Sequence, residues 1–248
     1  MKLQLEDISL SYGGEAILRH VSLSLREGEF VSIVGPSGCG KSTLLSVIAG
    51  TLAADRGCIR VDGEVLTGIS PHFTLMPQDD LLLPWIRVLD NVCLYGKVHG
   101  GLGALRKKAM ESFPSFGLSG YERNYPHELS GGMRQRAAFL RTALCPSDIL
   151  LLDEPFASLD VITREEMQDW LLTMRRLLGR TVLLVTHDID EAMYLSDRVL
   201  VLGGRPAEVC AEFVIEQETR SRVWLMEQTQ RKKEIYDVLK GERGNANV

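Results

Sequence analysis

The chain has few cysteines, and they are scattered. Its 248 residues contain five, with no CxxC pair and no spacing typical of metal ligands: Cys39, Cys58, Cys93, Cys145 and Cys210. An odd and dispersed set argues against a disulfide framework and a structural zinc site, and indicates a reducing compartment such as the cytosol. We therefore expect the chain to fold around a hydrophobic core, for which 45% hydrophobic residues are sufficient.

Long apolar runs are also missing. Runs such as VLLVTH and ILLLDEP have the length of buried strands, well short of the roughly 20 residues that a membrane-spanning helix needs. The N-terminal MKLQLEDISLSY alternates apolar and polar residues, so we expect no signal peptide and a mature chain that begins at Met1. We expect any attachment to a membrane to come through a partner.

An excess of positive charge is absent as well. The chain has 28 basic and 33 acidic residues, which give a net charge of −5 at pH 7. Proteins that bind nucleic acid neutralise its phosphates with basic surfaces. We therefore expect no nucleic-acid partner.

Apolar patterns divide the chain, which we treat as one domain over 1–248, into distinct regions. Residues 1–34 alternate apolar and polar residues, which predicts a β-rich lobe before a first helix at Lys41. Helical spacing from 88 to about 118, broken by glycine and proline, predicts a helical insert within a subdomain at approximately 88–145. From residue 133, predicted helices alternate with apolar strands at 149–153, 181–186 and 198–202, which indicates a parallel sheet covered on both faces. Residues 219–242 predict a C-terminal helical tail.

The sequence GPSGCGKST at 35–43 fits G-x-x-x-x-G-K-[ST] between a predicted strand and a predicted helix. In this pattern backbone N–H groups surround a polyphosphate, Lys41 reaches the β- and γ-phosphates, and Ser42 can bind Mg²⁺. A glycine-rich turn with an accidental lysine is the alternative, which the strand and helix context disfavours. The predicted ATP-contacting residues are Gly35, Pro36, Ser37, Gly38, Cys39, Gly40, Lys41, Ser42 and Thr43, with Cys39 as filler rather than a nucleophile.

Two adjacent carboxylates end the apolar strand in DILLLDEP, at 148–155. Open α/β sheets bind ligands beyond the carboxyl ends of their strands, so a solvated turn is the weaker interpretation. We predict that Asp153 holds Mg²⁺ and that Glu154 polarises the attacking water as a general base.

The sequence LSGGMRQR at 129–136 predicts a second anion-binding helix start. Ser130 is a plausible N-cap, and Gly131 and Gly132 leave their backbone amides open. An SGG turn alone is more often a plain helix entry, but its place shortly before the acidic strand favours a role in nucleotide binding.

Together these patterns resemble the ATP-binding cassette ATPases, over roughly residues 1–215. The resemblance implies an α/β P-loop NTPase fold with a mostly parallel core sheet, an N-terminal antiparallel β lobe and a helical insert. It also implies that Tyr12 stacks on adenine, that Gln78 contacts Mg²⁺, that Asp160 lies in the D-loop and that His187 is the switch histidine. Taken singly, Tyr12, Gln78 and His187 are more often a packing aromatic, a turn residue and a strand-terminal histidine, but their order and spacing along the chain favour a functional role for them together.

The resemblance further implies two paired subunits, with each ATP between the phosphate loop of one and the Ser130–Gly132 segment of the other. An integral membrane permease is the implied partner, at the cytoplasmic side of the membrane, and a solute-binding protein is an indirect one. The sequences QDDLLLPWIRVLDNV, LSGGMRQR and LGGRPAEV resemble importers of nitrate, sulfonates, taurine and bicarbonate. Importers of thiamine precursors share this pattern, and GRPA stands where the first group often has ARPG.

Two other function classes remain as alternatives. Soluble cassette ATPases act in nucleic-acid or iron–sulfur assembly processes, but the long coiled-coil insertions or second cassettes of the nucleic-acid members are not found here. A nucleotide-gated module without turnover would lack Glu154 or His187, and both are present.

The apolar sequence LLLPWI at 81–86 predicts a contact surface. Pro84 lacks the N–H that a central strand needs, so we expect an exposed loop rather than a core strand. We hypothesise that Trp85 or its apolar neighbours line the groove that receives a permease helix, with residues 88–118 as its other wall.

Overall fold

The computed structural model describes residues 1–216 and 220–241, apart from the side chains of residues 176–178. Among these residues, strands and helices alternate one for one only between about residues 149 and 203. The strands are β1 Leu3–Tyr12, β2 Glu15–Leu25, β3 Phe30–Val34, β4 Arg56–Val61, β5 Glu64–Leu66, β6 Phe73–Met76, β7 Ile149–Asp153, β8 Thr181–Thr186, β9 Arg198–Gly203 and β10 Glu208–Val214. The helices are α1 Lys41–Ile48, α2 Val88–Val92, α3 Leu94–His99, α4 Leu102–Ser112, α5 Gly131–Ala143, α6 Val161–Leu178, α7 Ile189–Leu195, α8 Arg222–Glu227 and α9 Thr229–Leu239.

The central sheet has the strand order β10-β9-β3-β8-β7-β6. The pairs from β9 to β6 are parallel, and β10 runs antiparallel to β9 at one edge. The predicted parallel sheet is therefore confirmed, while β10 was missed. Parallel strands end on the same side of a sheet, so the carboxyl ends of β3, β7 and β8 form one edge.

Successive residues of the central strands enter two different cores. Leu150 and Leu152 of β7 pack with the helical insert, α6, α7 and the tail. Leu151, between them, packs with α1 and the N-terminal sheet. Because side chains alternate across a strand, a run with no polar residue can fill both faces of the sheet.

A second sheet, ordered β2-β1-β4-β5, is antiparallel. It confirms the predicted N-terminal lobe with one correction, because β3 belongs to the central sheet and β4 takes its place in the lobe. Spacing within the sequence cannot assign a strand to a sheet. The lobe joins the central sheet through β2, where Arg19 donates a backbone hydrogen bond to Ala207 over 2.9 Å.

The helical insert consists of α2, α3, α4 and α5. Helical structure ends at Ser112 rather than near residue 118, because Pro114 has no N–H with which to continue the ladder. Helix α5 begins at Gly131, two residues before the predicted start at residue 133, and the Ser130 hydroxyl accepts the N–H of Met133 over 3.3 Å. The predicted N-cap is thus confirmed.

The tail contains α8 and α9, and its predicted end points, residues 219 and 242, lie outside the described residues. Leu225 and Ile235 are buried in the same core as α6 and α7. The tail is therefore packed onto the domain. No helix in the described part of the chain combines the length and apolar composition of a membrane span.

Candidate functional site

The phosphate loop connects β3 to α1 at the carboxyl edge of the central sheet. Gly38 and Gly40 adopt φ angles of 76° and 111°, a region that disfavours side chains. A Cβ at Gly35 would lie 2.5 Å from the carbonyl oxygen of Leu202, so only glycine fits there. Burial raises the pKa of the Cys39 thiol, which supports its interpretation as filler because thiolates are the reactive form.

Lys41 starts α1 and extends back beneath this loop. Its side chain is 4% exposed. Its Nζ atom donates to the carbonyl oxygens of Gly35 over 2.9 Å and Pro36 over 3.0 Å, and lies 3.7 Å from Glu154 Oε1. The loop thus holds a buried ammonium group at the carboxyl edge of the sheet.

Ser42 and Asp153 meet at the same edge. The Ser42 hydroxyl donates to Asp153 Oδ1 over 3.0 Å. Burial raises the pKa of Asp153, and the neighbouring Glu154 adds to this, while the Ser42 hydrogen bond and the charge of Lys41 oppose it. Burial disfavours the charged form of a carboxyl group, and a nearby cation favours that form again.

Glu154 has a strained backbone. Its φ is 43°, which is uncommon for a residue other than glycine and is found mainly where the surroundings enforce it, often at functional sites. Its backbone N–H donates to Val185 over 2.9 Å, which fixes it to β8. One carboxylate oxygen lies 2.8 Å from His187 Nδ1 and the other faces Lys41. The structure therefore brings together Lys41, Glu154 and His187.

The signature segment lies apart from these groups. Among the described residues, no hydrogen bond or ion pair joins the Ser130–Gly132 segment to the phosphate loop. It lies beside the D-loop instead: a Cβ at Gly131 would lie 3.6 Å from Leu159 Cδ2 and one at Gly132 only 2.6 Å from Thr163 Cγ2. Asp160 caps α6 by accepting the Thr163 N–H over 3.1 Å, and this hydrogen bond lowers its pKa.

Tyr12 and Gln78 are both exposed. Tyr12 ends β1 with 75% of its surface accessible. Its sheet meets the phosphate loop at Gly40, where a Cβ would lie 3.1 Å from Leu18. Gln78 follows β6, whose carboxyl end neighbours that of β7 and Asp153. Both side chains are thus accessible to solvent, Tyr12 on the N-terminal sheet and Gln78 after the strand that neighbours β7.

Several residues that link α5 to neighbouring loops were not predicted from the sequence. Arg134 Nε donates to Asp80 Oδ2 over 3.2 Å, and Arg141 donates to the Asp80 and Leu81 carbonyls over 2.6 and 2.8 Å. The side-chain amide of Gln135 donates to the Pro155 carbonyl. These bonds join α5 to the Gln78 loop and to the turn after Glu154. Arg134 and Arg141 are seven residues apart and therefore lie on one face of the helix, a spacing from which a shared contact could have been predicted.

Comparisons with known proteins agree with this geometry. A family model described as ABC transporter matches residues 18–157. The taurine import ATP-binding protein TauB of Pseudomonas aeruginosa is 42% identical over 213 residues, which cover 84% of this chain and 81% of that protein. The formylaminopyrimidine import ATP-binding protein ThiZ of Halalkalibacterium halodurans is 42% identical over 223 residues, which cover 89% and 87%.

A solved structure shows the same fold. The ATP-binding cassette MJ0796, dimeric in a post-hydrolysis state and bound to ADP and Pi, gives a TM-score of 0.73 at 31% identity, covering 87% of this chain and 99% of that one. The resemblance found from the motifs is thereby confirmed, as are the fold class and ATP as the ligand of the family. The chain belongs to the ABC transporter family and is an ATP-binding ATPase of that family.

Proposed function

We propose that the chain powers import of a small solute through a separate membrane permease, with the cytoplasmic membrane face as its location. The observation that carries the catalytic part is the convergence of Lys41, Glu154 and His187 at the phosphate loop. The import part is supported by relatives named as import ATP-binding proteins. A role in nucleic-acid processes has no comparable support.

Glu154 is the proposed general base. His187 holds one carboxylate oxygen, and the strained backbone fixes the direction of the side chain. A base held in this way accepts a proton from water without first having to be oriented. Lys41 supplies the positive charge that stabilises the β- and γ-phosphates, and nucleotide competes with Glu154 and the loop carbonyls for this ammonium group.

The residues at this edge fit Mg²⁺. Ser42 and Asp153 offer a hydroxyl and a carboxylate at hydrogen-bond distance, and Gln78 offers an amide oxygen from the adjacent strand end. Oxygen donors with few carboxylates are typical of Mg²⁺ bound beside nucleotide phosphates. When bound, the ion neutralises charge on the phosphates.

The signature segment is proposed to act on ATP held by a second copy of the chain. Within one chain it contacts the D-loop rather than the phosphate loop, and its relative MJ0796 is dimeric. The α5 N-terminus, with Ser130, Gly131 and Gly132 in its first turn, offers backbone N–H groups suited to a γ-phosphate. Asp160 lies beside it, at the same proposed subunit boundary. ATP would join the subunits and hydrolysis would release them.

The permease is proposed to dock in an apolar groove between the Gln78 loop and α3. Its lining includes Leu81 and Leu83 on one side and Leu94, Tyr95 and Val98 on the other. Arg141 anchors the first side through the Leu81 carbonyl. The loop prediction for LLLPWI is confirmed, since Trp85 is 70% exposed, but Trp85 lies beside the groove while its apolar neighbours line it.

The transported solute is proposed to be a sulfonate such as taurine or a small pyrimidine-type compound, following the two relatives. A solute-binding protein outside the membrane would deliver it to the permease.

Co-purification of the chain with an integral membrane permease, and solute uptake by that complex, test the proposal. Leu81→Asp places a charge in the groove and should abolish co-purification and solute uptake while ATP binding persists, since an unpaired charge in an apolar contact is unfavourable. Ile69→Asp, at a residue 79% exposed on the N-terminal lobe side, is the matched control and should behave as wild type. Equal co-purification of both variants would reject the groove, and absence of any permease complex would reject the transport function.

A further inference from the structure

Glu191 is a buried acid that has no role in the site described above. It lies on α7, four residues after His187, and is 4% exposed. Its Oε1 atom has no hydrogen-bond partner. Burial raises its pKa to about 8, and Asp188 contributes in the same direction. A buried carboxyl group with an unpaired oxygen lowers the stability of the folded state, so its presence needs an explanation.

On one side Glu191 contacts the segment that carries His187. Thr186 ends β8 directly before His187. Its side-chain hydrogen bond to the carboxyl group of Glu191 opposes the rise in the pKa of that group. The Thr186 hydroxyl also accepts the N–H of Asp188 over 3.0 Å. The Asp188 side chain in turn accepts the backbone N–H of Glu191 over 3.2 Å. Both neighbours of His187 are thus linked to Glu191.

On the other side Glu191 faces α6. Gln168 is 4% exposed, and its Oε1 atom accepts a hydrogen bond from Arg222 of α8 over 2.9 Å, which leaves its NH₂ group to donate to Glu191. Arg164 provides the positive charge opposite Glu191. Arg164 also donates to the carbonyl of Leu159, the residue before Asp160, over 3.0 Å. Glu191 therefore lies between the His187 segment and the start of the D-loop helix.

We propose that Glu191 is a positioning residue for ATP hydrolysis, which holds the His187 segment against α6 and thereby keeps His187 in contact with Glu154. This inference rests on the roles proposed above for His187 and Glu154. Its charged neighbours are Asp188 at the start of α7 and Arg164 on α6, and its neutral polar neighbours are Thr186 and Gln168. In the protonated form Glu191 adds no second negative charge beside Asp188, so no repulsion pushes the His187 segment away from α6.

Steady-state hydrolysis of MgATP by the full chain tests this inference. Glu191→Ala should lower kcat on the order of 10- to 100-fold, the scale of a displaced catalytic group. KM should stay unchanged within roughly twofold, because the phosphate loop is untouched. Glu191→Gln keeps the shape and neutrality of the protonated acid and should retain activity at pH 7. Glu166→Ala, which removes an exposed glutamate from α6, is the matched control.

A double variant and a pH profile separate positioning from a general structural effect. Because Glu191 acts through His187, adding Glu191→Ala to His187→Ala should lower kcat no further. Above pH 8 the wild-type kcat should fall relative to that of Glu191→Gln, since only the wild type ionises there. Multiplicative effects in the double variant, or parallel pH profiles, would overturn the proposal. If Glu191→Ala fails to fold, the pH comparison with Glu191→Gln decides alone.

The failure of this inference can be told apart from that of the proposed function. Full turnover in His187→Ala would overturn the role of His187, and this inference with it. Impaired turnover in His187→Ala together with full turnover in a folded Glu191→Ala would overturn this inference only.

Discussion

The buried Glu191 should contribute to the pH dependence of the free energy of unfolding, and Glu191→Gln should remove that contribution. The pKa of Glu191 is raised from 4.5 to about 8, so the folded chain keeps a proton that the unfolded chain releases. Between these two values folding stability therefore decreases as the pH rises, and above pH 8 no further loss occurs. At about 1.4 kcal/mol per pH unit the full effect is roughly 5 kcal/mol.

Urea unfolding of both proteins at pH 5, 7 and 9 measures this effect. Since the two chains differ in one group, the other titrations cancel, and the variant should gain stability relative to wild type between pH 5 and pH 8. A gain of roughly 5 kcal/mol would be a large part of the 5–15 kcal/mol typical of a folded domain. Glu111→Gln, on the exposed face of α4, controls for the loss of one negative charge. A stability difference that is the same at all three pH values would refute the account of Glu191.

Three further predictions concern nucleotide and partner. Lys41→Ala should weaken ATP binding about 10- to 100-fold in a fluorescent-nucleotide titration, because hydrogen bonds to a charged group are worth roughly 1.5–3 kcal/mol; unchanged affinity and turnover would place the phosphate site elsewhere. Ser130→Arg should leave ATP binding by isolated subunits intact and stop hydrolysis, and mixing it with Lys41→Ala should restore part of the ATPase activity because one composite site is then intact; no recovery would mean that each site forms within one chain. Trp85→Asp, at an exposed residue beside the groove, should leave the subunit folded by circular dichroism and able to bind ATP while lowering co-purification with the permease less than Leu81→Asp does; normal solute uptake would remove Trp85 from the docking surface.

The arrangement of the proposed nucleotide site could be predicted because its residues belong to local units. A strand, a glycine-rich loop and a helix fix where Lys41 and Ser42 lie, and a buried strand fixes Asp153 and Glu154 at its end. Those patterns depend only on residues that are close together in the sequence. In the structure Ser42 contacts Asp153 and Lys41 lies beside Glu154. The strain at Glu154 and its contact with His187 depend on strands that are distant in sequence.

Other features depend on tertiary packing and left little signal in the sequence. The assignment of β3 to the central sheet follows from its pairing with β8 and β9, not from its composition. The sequence IDEAMYL likewise gives no sign that Glu191 points inward, since charged residues are normally exposed. The interior position of Glu191 results from α7 being covered by α6, β3 and the tail.

The central claim, that Glu154 is the base in an ATPase site, is tested most directly by Glu154→Gln. The amide keeps the shape of the side chain but cannot accept a proton, so steady-state ATPase activity should fall roughly 10²- to 10⁴-fold while ATP binding persists. The ATP-bound variant should also accumulate as a dimer in size-exclusion chromatography, because ATP is no longer consumed. Near-normal turnover in a folded Glu154→Gln chain would contradict the assignment of Glu154 as the base.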